Sequence, residues 1–560
     1  MSENTPRQRY LKRKQALWNE RSSWITHYRE ITDYLLPRSG RYFEQDRNRG
    51  DKKHNNIYDS TGTRALRVLA AGMMAGMTSP ARPWFRLATP DTDLMEYDPV
   101  KRWLHSVAKI MREIYARSNT YRSLHMLYEE LGAFGTAVTI MRPDFQDVIR
   151  HYPLTAGEYA IASSARGEVN TLYREVPMTV SQIVEEFGIE NVSKTVKNQW
   201  DRGNYDQWIT VMHAIEPRKD KDREYGKRDA KNMPFKSCYF ELAGEGDELL
   251  SESGFKTFPA LAPRWSVSGG DIYGNGPGME ALGDIRQLQH EQLRKAQCID
   301  YQTKPPLQMP TSMKNMEYDT LPGGLAWVDP NAPNGSIKTQ FEVNLNLQHL
   351  LLDIQDVRDR VNGTFYADLF LMMANDTRSG ITATEVAERH EEKLLMLGPV
   401  LERLHNEMLS PMIETTFTTM MEAGIVPPPP QELQGMDLSI EFVSTLAQAQ
   451  RAIGVGSIDR LLGTVGAVAQ MKPDVLDKID GDQIVDTYAD MLGVDPNLIV
   501  GDENVAIIRQ QRAQAQQQAQ AAQNMAMMAE TAAKVGSIDT SRQNALTDVM
   551  SQFQGYTGNA

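Results

Sequence analysis

The chain has 560 residues, of which 41% are hydrophobic and 24% are charged, and this length is enough for several cores. Acidic residues outnumber basic ones, 73 to 60. The net charge of −13 therefore disfavours a protein that grips DNA by neutralising phosphates, but it permits a conduit through which DNA slides. The two cysteines, Cys238 and Cys298, exclude a cysteine-rich zinc cluster or a disulfide framework and are typical of a reducing compartment.

No apolar stretch in the sequence is long enough to cross a bilayer. The most apolar run, Val68–Met77, falls short of the roughly 20 residues that a spanning helix needs. No apolar segment follows the basic residues Lys12–Lys14, as it would in a secretory signal. We therefore expect no membrane partner.

Helical periodicity dominates the chain up to Phe134. One N-terminal helix is predicted to run as far as Pro37, and its leading basic residues could contact DNA or form a solvated helix face. Further helices are predicted over Thr61–Met77, Val100–Ala116 and Ser123–Phe134. The first of these three is apolar on most sides and is therefore predicted to be buried.

Beyond Gly135, short runs bounded by Pro, Gly or Asp are typical of strands. The predicted strands are Ala137–Met141, Val148–Tyr152, Glu158–Ile161, Glu168–Val176, Gln207–Ile215, Ser237–Leu242 and Phe258–Trp265. A helix is predicted between them at Thr179–Phe187. The fold class is therefore α+β, mainly helical, with a small sheet and helices packed on it.

Two amphipathic helices, Met279–Ile299 and Leu347–Val361, are predicted on either side of the turn-rich segment Lys304–Gln340. The second helix has an apolar stripe and an opposite polar face. Gly363–Gly380, which follows, is too apolar for a solvated loop. It is predicted to be a flexible interaction surface, and a buried helical turn is the alternative.

A long helix is predicted from Ala383 to Ala423. Thr382 and Glu385 match a capping box at its start, and Pro399 and Pro411 should kink it. Near the C-terminus, Arg509–Val535 is rich in Ala, Gln and Met. This stretch either packs as a helix against copies in neighbouring subunits or forms a disordered low-complexity tail.

Enzyme signatures are weak throughout the sequence. The glycine-rich Gly274–Gly278 opens a helix but lacks the spacing and lysine of a phosphate-binding loop, so a tight turn is the favoured interpretation. The carboxylates of Asp91 and Asp93 and of the Asp353–Asp359 cluster could hold magnesium, although an Asp356–Arg360 ion pair is the simpler role. No catalytic, cofactor-binding or metal-binding residue is nominated, and no cofactor is expected.

Four segments in order carry a family resemblance: Ile57–Gly62 with its continuation to Phe85, Met178–Gln182, Tyr273–Ile285, and Ile381–Leu404. Together they resemble the head-to-tail connecting (portal) proteins of short-tailed, podovirus-type bacteriophages. Each segment alone is a weak signal, but four in family order across residues 57–411 are specific. The Ala/Gln tail lies outside the match.

The resemblance implies a portal fold with named regions along the chain. The wing would comprise residues 1–273 and a long kinked helix at 381–430. The other regions would be stem helix 1 at 274–302, the clip at 303–344, stem helix 2 at 345–362, the channel loop at 363–380, the crown at 431–500 and a helical tail or barrel at 501–560.

The resemblance also implies a function without catalysis. The expected assembly is a dodecameric ring at one capsid vertex of the virion, assembled in the host cytoplasm, through which double-stranded DNA is packaged, retained and ejected. The terminase large subunit, the tail adaptor, and the major capsid and scaffolding proteins are its expected partners. The apolar sides of the stem helices would face neighbouring copies, and their acidic sides would face the lumen.

Two groups of residues are predicted to meet DNA. The channel loop would contribute Phe365, Tyr366, Phe370, Met372, Met373, Asn375 and Arg378. Asp353, Asp356 and Arg360 would form the lumen face of the stem. Two alternatives stay open: a helical internal virion protein that is ejected with the genome, and a metal-dependent nuclease that uses scattered carboxylates.

Overall fold

The computed structural model describes residues 5–43, 50, 55–91, 94, 97–219, 223, 227, 229–243, 249–304, 307–308, 338–339, 347–375, 396–433, 438–443, 461–468, 472, 481–485, 500 and 502–536. Its helices are α1 (Pro6–Glu20), α2 (Ser22–Tyr34), α3 (Thr61–Met77), α4 (Asp98–Arg117), α5 (Thr120–Phe134), α6 (Val180–Phe187), α7 (Lys194–Asp201), α8 (Pro277–Glu280), α9 (Leu282–Thr303), α10 (Leu347–Thr364), α11 (Ala367–Asn375), α12 (396–404), α13 (Ser410–Glu422) and α14 (Asp502–Gly536). Short helical stretches also occur at 461–468 and 481–485.

The strands are β1 (Phe85–Ala88), β2 (Val138–Asp144), β3 (Val148–Leu154), β4 (Tyr159–Ser163), β5 (Val169–Thr179), β6 (Trp208–Pro217), β7 (Phe235–Glu241), β8 (Ser251–Phe255), β9 (Ala260–Leu261), β10 (Leu307–Gln308), β11 (Lys338–Thr339) and β12 (Ser439–Phe442). The chain is thus mixed α and β and mainly helical, as the sequence predicted. None of the described helices has both the length and the apolarity of a bilayer-spanning segment.

The largest sheet has five antiparallel strands in the order β4-β5-β6-β7-β8. Alternate side chains of its strands enter different clusters, because successive residues point to opposite faces. Met212 packs with Tyr10 and Leu17 of α1, whereas its neighbour Val211 packs with Ile183 of α6. The sheet is therefore covered by helices on both faces.

The prediction of a single N-terminal helix was wrong, because the helix is interrupted at Arg21, between α1 and α2. The buried Arg21 guanidinium donates to the backbone carbonyls of Gly157 and Tyr159 and so fixes the break against β4. The leading basic residues are also engaged. Arg7 donates to the carbonyl oxygen of Glu241, and Lys14 pairs with Glu175.

The hydrophobic core around α3 is larger than the clusters on the two faces of the sheet, and it joins residues from Tyr28 to Leu433. Glycines on its helices permit close approach of neighbouring elements. A Cβ added at Gly72 of α3 would lie 2.1 Å from the Cγ of Phe370 in α11. Such a separation is far inside van der Waals contact, so a glycine at position 72 is what lets Phe370 pack against α3.

The segment Gly274–Gly278 packs against the last residues of α5 and the backbone that follows them. Added Cβ atoms at Gly274 and Gly278 would lie 2.3 Å from the carbonyl oxygens of Gly135 and Ala133. Gly274 also donates its N–H to the Oγ1 of the buried Thr136. The glycines therefore serve close backbone packing before α8. The predicted tight turn was wrong, because Asn275 forms an antiparallel bridge with Ser266 and Gly276 is extended, but Pro277 does stand in the first turn of the helix.

An ion pair between distant parts of the chain joins the sheet region to the helical core. Arg264 donates through its backbone N, Nε and Nη2 to the carboxylate of Glu407 at 2.9, 3.2 and 2.6 Å. Glu407 lies in a π-helical turn, His405–Leu409, between α12 and α13. Pro411 has no N–H for a regular helical bond at this point, so an irregularity arises near the predicted kink.

Glu130 of α5 is a buried carboxyl beside a cavity of about 220 Å³. It accepts hydrogen bonds from the Oγ1 of Thr155 at 2.6 Å and from the N–H of Ala156 at 3.3 Å. Burial raises the pKa of Glu130 to about 7, because removal from water disfavours the charged form more than the hydrogen bonds from Thr155, Ala156 and Ser39 favour it.

Replacing Gly72 with Ala should destabilise the protein, since Phe370 would have to move and overpacking of a core costs about 1–3 kcal/mol. The control is Gly283→Ala in α9, where an added Cβ meets nothing within 4 Å and a helix-favouring residue should stabilise by up to about 1 kcal/mol. Thermal unfolding midpoints of both variants test the contact. Equal midpoints for the two variants would contradict the packing of Phe370 on α3.

Removing Glu407 should leave the Arg264 guanidinium buried without a counter-charge, which costs about 3–5 kcal/mol. Glu407→Ala is therefore expected to lower the thermal midpoint strongly. The matched control, Glu422→Ala, removes the partner of Lys256 in an exposed pair and should cost less than about 1 kcal/mol. Similar losses in both variants would show that the Arg264 contact is not an anchor.

The Glu130 carboxyl should make stability fall as pH rises. Its contribution is complete below a pH of about 4.5, the ordinary value, and is lost as pH approaches about 7, the value in the folded chain. Glu130→Gln lacks this loss, so the midpoint of the variant relative to the natural chain should be higher at pH 8 than at pH 5. A difference that is constant across this range would be inconsistent with a neutral, buried Glu130.

Candidate functional site

Helices α9 and α10 form an antiparallel pair. The antiparallel arrangement matches the expectation, and their place in a stem stays a prediction. Asp284 near the start of α9 pairs with Arg360 near the end of α10, with 3.4 Å between the Oδ1 and Nη2 atoms. Further along α9, Glu291 faces Asp353 of α10. Contacts closer to the C-terminus of α9 are therefore closer to the N-terminus of α10, so the two helices run antiparallel.

Asp59, just before α3, holds both helices of this pair. Its Oδ2 accepts from the Nη2 of Arg358 on α10 at 2.7 Å and from the Nε2 of Gln292 on α9 at 2.9 Å. Gln289 of α9 adds a second connection, because its Oε1 accepts from the backbone N–H groups of Tyr58 and Asp59, each at 2.7 Å. These bonds fix α9 and α10 to the start of α3.

The Asp59 carboxylate is the charged centre of this junction. Burial opposes its ionisation, but hydrogen bonds from Thr61 and Arg358 outweigh burial and lower the pKa of Asp59 below its ordinary value. The group is therefore ionised at neutral pH, and Asp59 and Arg358 form a charge-assisted pair.

The predicted lumen-face residues Asp353, Asp356 and Arg360 are all exposed on α10. Arg360 donates toward Asp284 and lies 3.5 Å from the Oδ2 of Asp356, so the predicted ion pair within the helix is present. Asp359 is also exposed and accepts a hydrogen bond from Gln355. The structure thus places three carboxylates on one accessible face of α10.

The prediction that the apolar stripe of α10 faces a neighbouring copy was wrong for its central residues. Ile354, Val357 and Val361 are buried in the chain's own core, and α10 packs on α3 and α9. The stripe is correctly identified, but α3 supplies the surface that covers it. Leu351 and Leu352 remain exposed.

The prediction of a flexible loop at Gly363–Gly380 was wrong for the described residues of that segment. Tyr366, with a left-handed φ of 53°, separates α10 from a further helix, α11, which extends to Asn375. Phe365 and Phe370 are buried in the core, so neither side chain lines an open channel in this arrangement. The alternative, a buried helical turn, matches these two residues.

The remaining predicted channel residues are only partly described. The Tyr366 ring is half-buried and lies 6.2 Å from the ring of Trp265. The side chains of Met372, Met373 and Asn375 lie outside the described part of the chain, as does the whole of Arg378. Their channel role stays a prediction.

Sequence reasoning missed Asp59, Gln289 and Glu291. Asp59 lies within the segment that carries the family resemblance, but nothing local in the sequence shows its partners on α9 and α10. Glu291 is buried at the α9–α10 contact, where burial and the nearby Asp353 raise its pKa. Within the described residues, no group of three or more His, Cys, Asp or Glu side chains is arranged to hold a metal ion.

Two solved structures resemble the chain distantly. The neck of an empty gene transfer agent particle, computed with C6 symmetry, is 11% identical and has a TM-score of 0.34, with 77% of this chain and 92% of that chain covered. The virion of a native gene transfer agent particle is 11% identical, with a TM-score of 0.29 and coverage of 73% and 86%. Similarity at this level adds nothing to a family assignment.

Sequence comparisons are far stronger. The "Probable portal protein" of Bordetella phage BPP-1 is 63% identical over 557 residues, which is 100% of both chains. The "Portal protein" of Salmonella phage epsilon15 is 47% identical over 547 residues, with 97% of this chain and 98% of that protein covered. A family model described as "Bacteriophage head to tail connecting protein" matches residues 7–500. The chain therefore belongs to the family of bacteriophage head to tail connecting proteins.

Proposed function

We propose that twelve copies of this chain form a ring at one capsid vertex, and that double-stranded DNA passes through the ring during packaging, retention and ejection. The exposed acidic face of α10 is the observation that carries this proposal. A DNA conduit must not bind the polymer that it transports, and carboxylates repel phosphates. Asp353, Asp356 and Asp359 supply this repulsion on a helix that Asp59 and Arg358 hold to the core.

The described elements can be assigned to the proposed regions of the ring. The sheet region and the α3 core would form the wing, and α9 with α10 the stem. The short antiparallel pair β10–β11 lies within the segment proposed as the clip, at 303–344. The segment proposed as the crown, 431–500, begins within the wing core, because β12 pairs with β1 and Leu433 is buried in the larger core.

The length and the exposed apolar residues of the C-terminal helix α14 are consistent with a barrel built from the C-terminal helices of all the copies. It has 35 residues, which corresponds to about 50 Å. Ile507, Ile508, Met525 and Met527 are exposed on it. An Ala- and Gln-rich helix of this kind is only marginally stable alone, so parallel copies packing together in the capsid interior would stabilise it.

The proposed ring acts by binding and guiding, without catalysis. Its proposed partners are the terminase large subunit during packaging, the tail adaptor afterwards, and the capsid and scaffolding proteins around the vertex. It would assemble in the host cytoplasm and remain in the virion. Contacts with DNA need not depend on sequence, since a whole genome has to pass.

Ring formation is tested by averaged electron micrographs and native mass spectrometry of the purified full-length protein. Closed rings with a central hole wide enough for a duplex are expected. Monomers or open filaments under all conditions would favour an internal virion protein instead.

Reversing charge on α10 tests the lumen. The double variant Asp356→Lys/Asp359→Lys should form rings but package or eject DNA several-fold more slowly, because the new cations bind passing phosphates. The matched control is Glu185→Lys/Glu186→Lys, the same charge change on the exposed face of α6. Full-speed packaging by rings of the α10 variant would contradict a lumenal position of this face.

A further inference from the structure

Three arginines come together where the hairpin of β2 and β3 packs on the five-stranded sheet. Arg174 of β5, His213 of β6 and Tyr239 of β7 stand opposite one another in register, so their side chains share one face of that sheet. Arg142 of β2 reaches this row from the hairpin, because its Nη2 donates to the hydroxyl of Tyr239. Arg150 of β3 stands directly opposite Arg142 and lies on the same face of the hairpin.

Neutral groups are the hydrogen-bond partners of these guanidiniums. The Nε of Arg174 donates to the Nδ1 of His213 at 3.0 Å. The Nε2 of His213 therefore carries the ring proton and donates to the Oγ of Ser237 at 2.9 Å. Burial and the charges of Arg174 and Arg142 lower the pKa of His213 well below its ordinary value, so the ring is uncharged.

No ion pair balances the positive charge at this junction. Within the described residues, none of Arg142, Arg150 and Arg174 is paired with a carboxylate. The charge of Glu158 acts on Arg174 from the start of β4, but one carboxylate cannot balance three guanidiniums. Like charges that stand opposite each other on two strands repel, as Arg142 and Arg150 do. A bound anion would relieve this repulsion.

The cluster has an unused donor and an accessible side. The Nε of Arg142 is buried, and no acceptor among the described residues reaches it. Arg150 is exposed, and Arg142 and Arg174 are partly exposed. The ring of Tyr152, which is 40% exposed, lies 5.8 Å from the guanidinium carbon of Arg142. An ion can therefore enter from the β3 side and find N–H groups that the protein leaves unpaired.

We propose that Arg142, Arg150 and Arg174 bind one phosphate-type oxyanion between the β2–β3 hairpin and the five-stranded sheet. Guanidinium groups suit this ligand, because their planar arrangement of N–H donors matches two oxygens of a phosphate. Since Arg142 and Arg174 are only partly exposed, a small free ion fits the recess better than a phosphate of a DNA duplex. Binding would link the hairpin to the sheet whether or not the chain forms a ring, so this inference is independent of the proposed function.

The experiment compares the full-length natural chain with Arg142→Gln, Arg150→Gln and the control Arg166→Gln. Arg166 is exposed in the turn between β4 and β5, so the control removes the same charge away from the cluster. Equilibrium dialysis measures the binding of radiolabelled orthophosphate at constant ionic strength in chloride. We expect one phosphate per chain for the natural chain and Arg166→Gln. The affinity should fall at least tenfold in Arg142→Gln and several-fold in Arg150→Gln, whose exposed side chain is not needed for folding.

Thermal unfolding provides a second readout. Millimolar phosphate should raise the midpoint of the natural chain relative to NaCl of matched ionic strength, and Arg150→Gln should reduce this rise. A short DNA duplex, added as a competitor, distinguishes the sources of the phosphate group. Phosphate that stays bound identifies the free ion as the occupant, and displacement assigns the same cluster to a backbone phosphate. Equal phosphate binding by the natural chain and both cluster variants, or no binding by the natural chain, would overturn the proposal.

Discussion

The position of the exposed acidic face depends on one buried carboxylate. Asp59 lies outside α9 and α10, yet it accepts hydrogen bonds from both, through Gln292 and Arg358. Without this anion, Arg358 and Gln292 would lose their shared acceptor, and α10 would lose this charged link to the start of α3. Apolar packing is weakly directional, whereas a charged, hydrogen-bonded junction fixes the angle at which a helix presents its other side.

Local periodicity was sufficient to locate most of the secondary structure. The bounds predicted for α3 match the structure, and α4, α5 and α10 differ by a few residues, because an apolar stripe at helical spacing is a property of the segment itself. The same stripe could not identify the surface that covers it. Val357 and Val361 are buried in the core around α3, but burial against a neighbouring copy would require apolar residues at the same positions.

Long-range pairings could not be predicted from one sequence. Arg264 and Glu407 are 143 residues apart, and nothing in either neighbourhood indicates the other. Composition was also misleading at Phe365 and Phe370, since an apolar segment suits a sliding surface and a core equally well. At Gly274–Gly278, by contrast, the missing lysine and the position of Pro277 were enough to favour a structural role over phosphate binding, although the close backbone contacts of the glycines were not predicted. The predicted regions of the ring depend on the family resemblance and on the experiments above.

The pairing of β1 with β12 has a consequence for how the chain matures. Phe85 and Leu87 are buried, and their strand partners Phe442 and Ile440 lie more than half the chain away. A ribosome adds about 5–20 residues per second, so the nascent polypeptide waits tens of seconds with this edge unpaired. Until β12 has been made, Phe85 and Leu87 lack the strand that pairs with them in the folded chain. A molecular chaperone that shields the unpaired β1 edge during translation would therefore raise the yield of assembly-competent subunits.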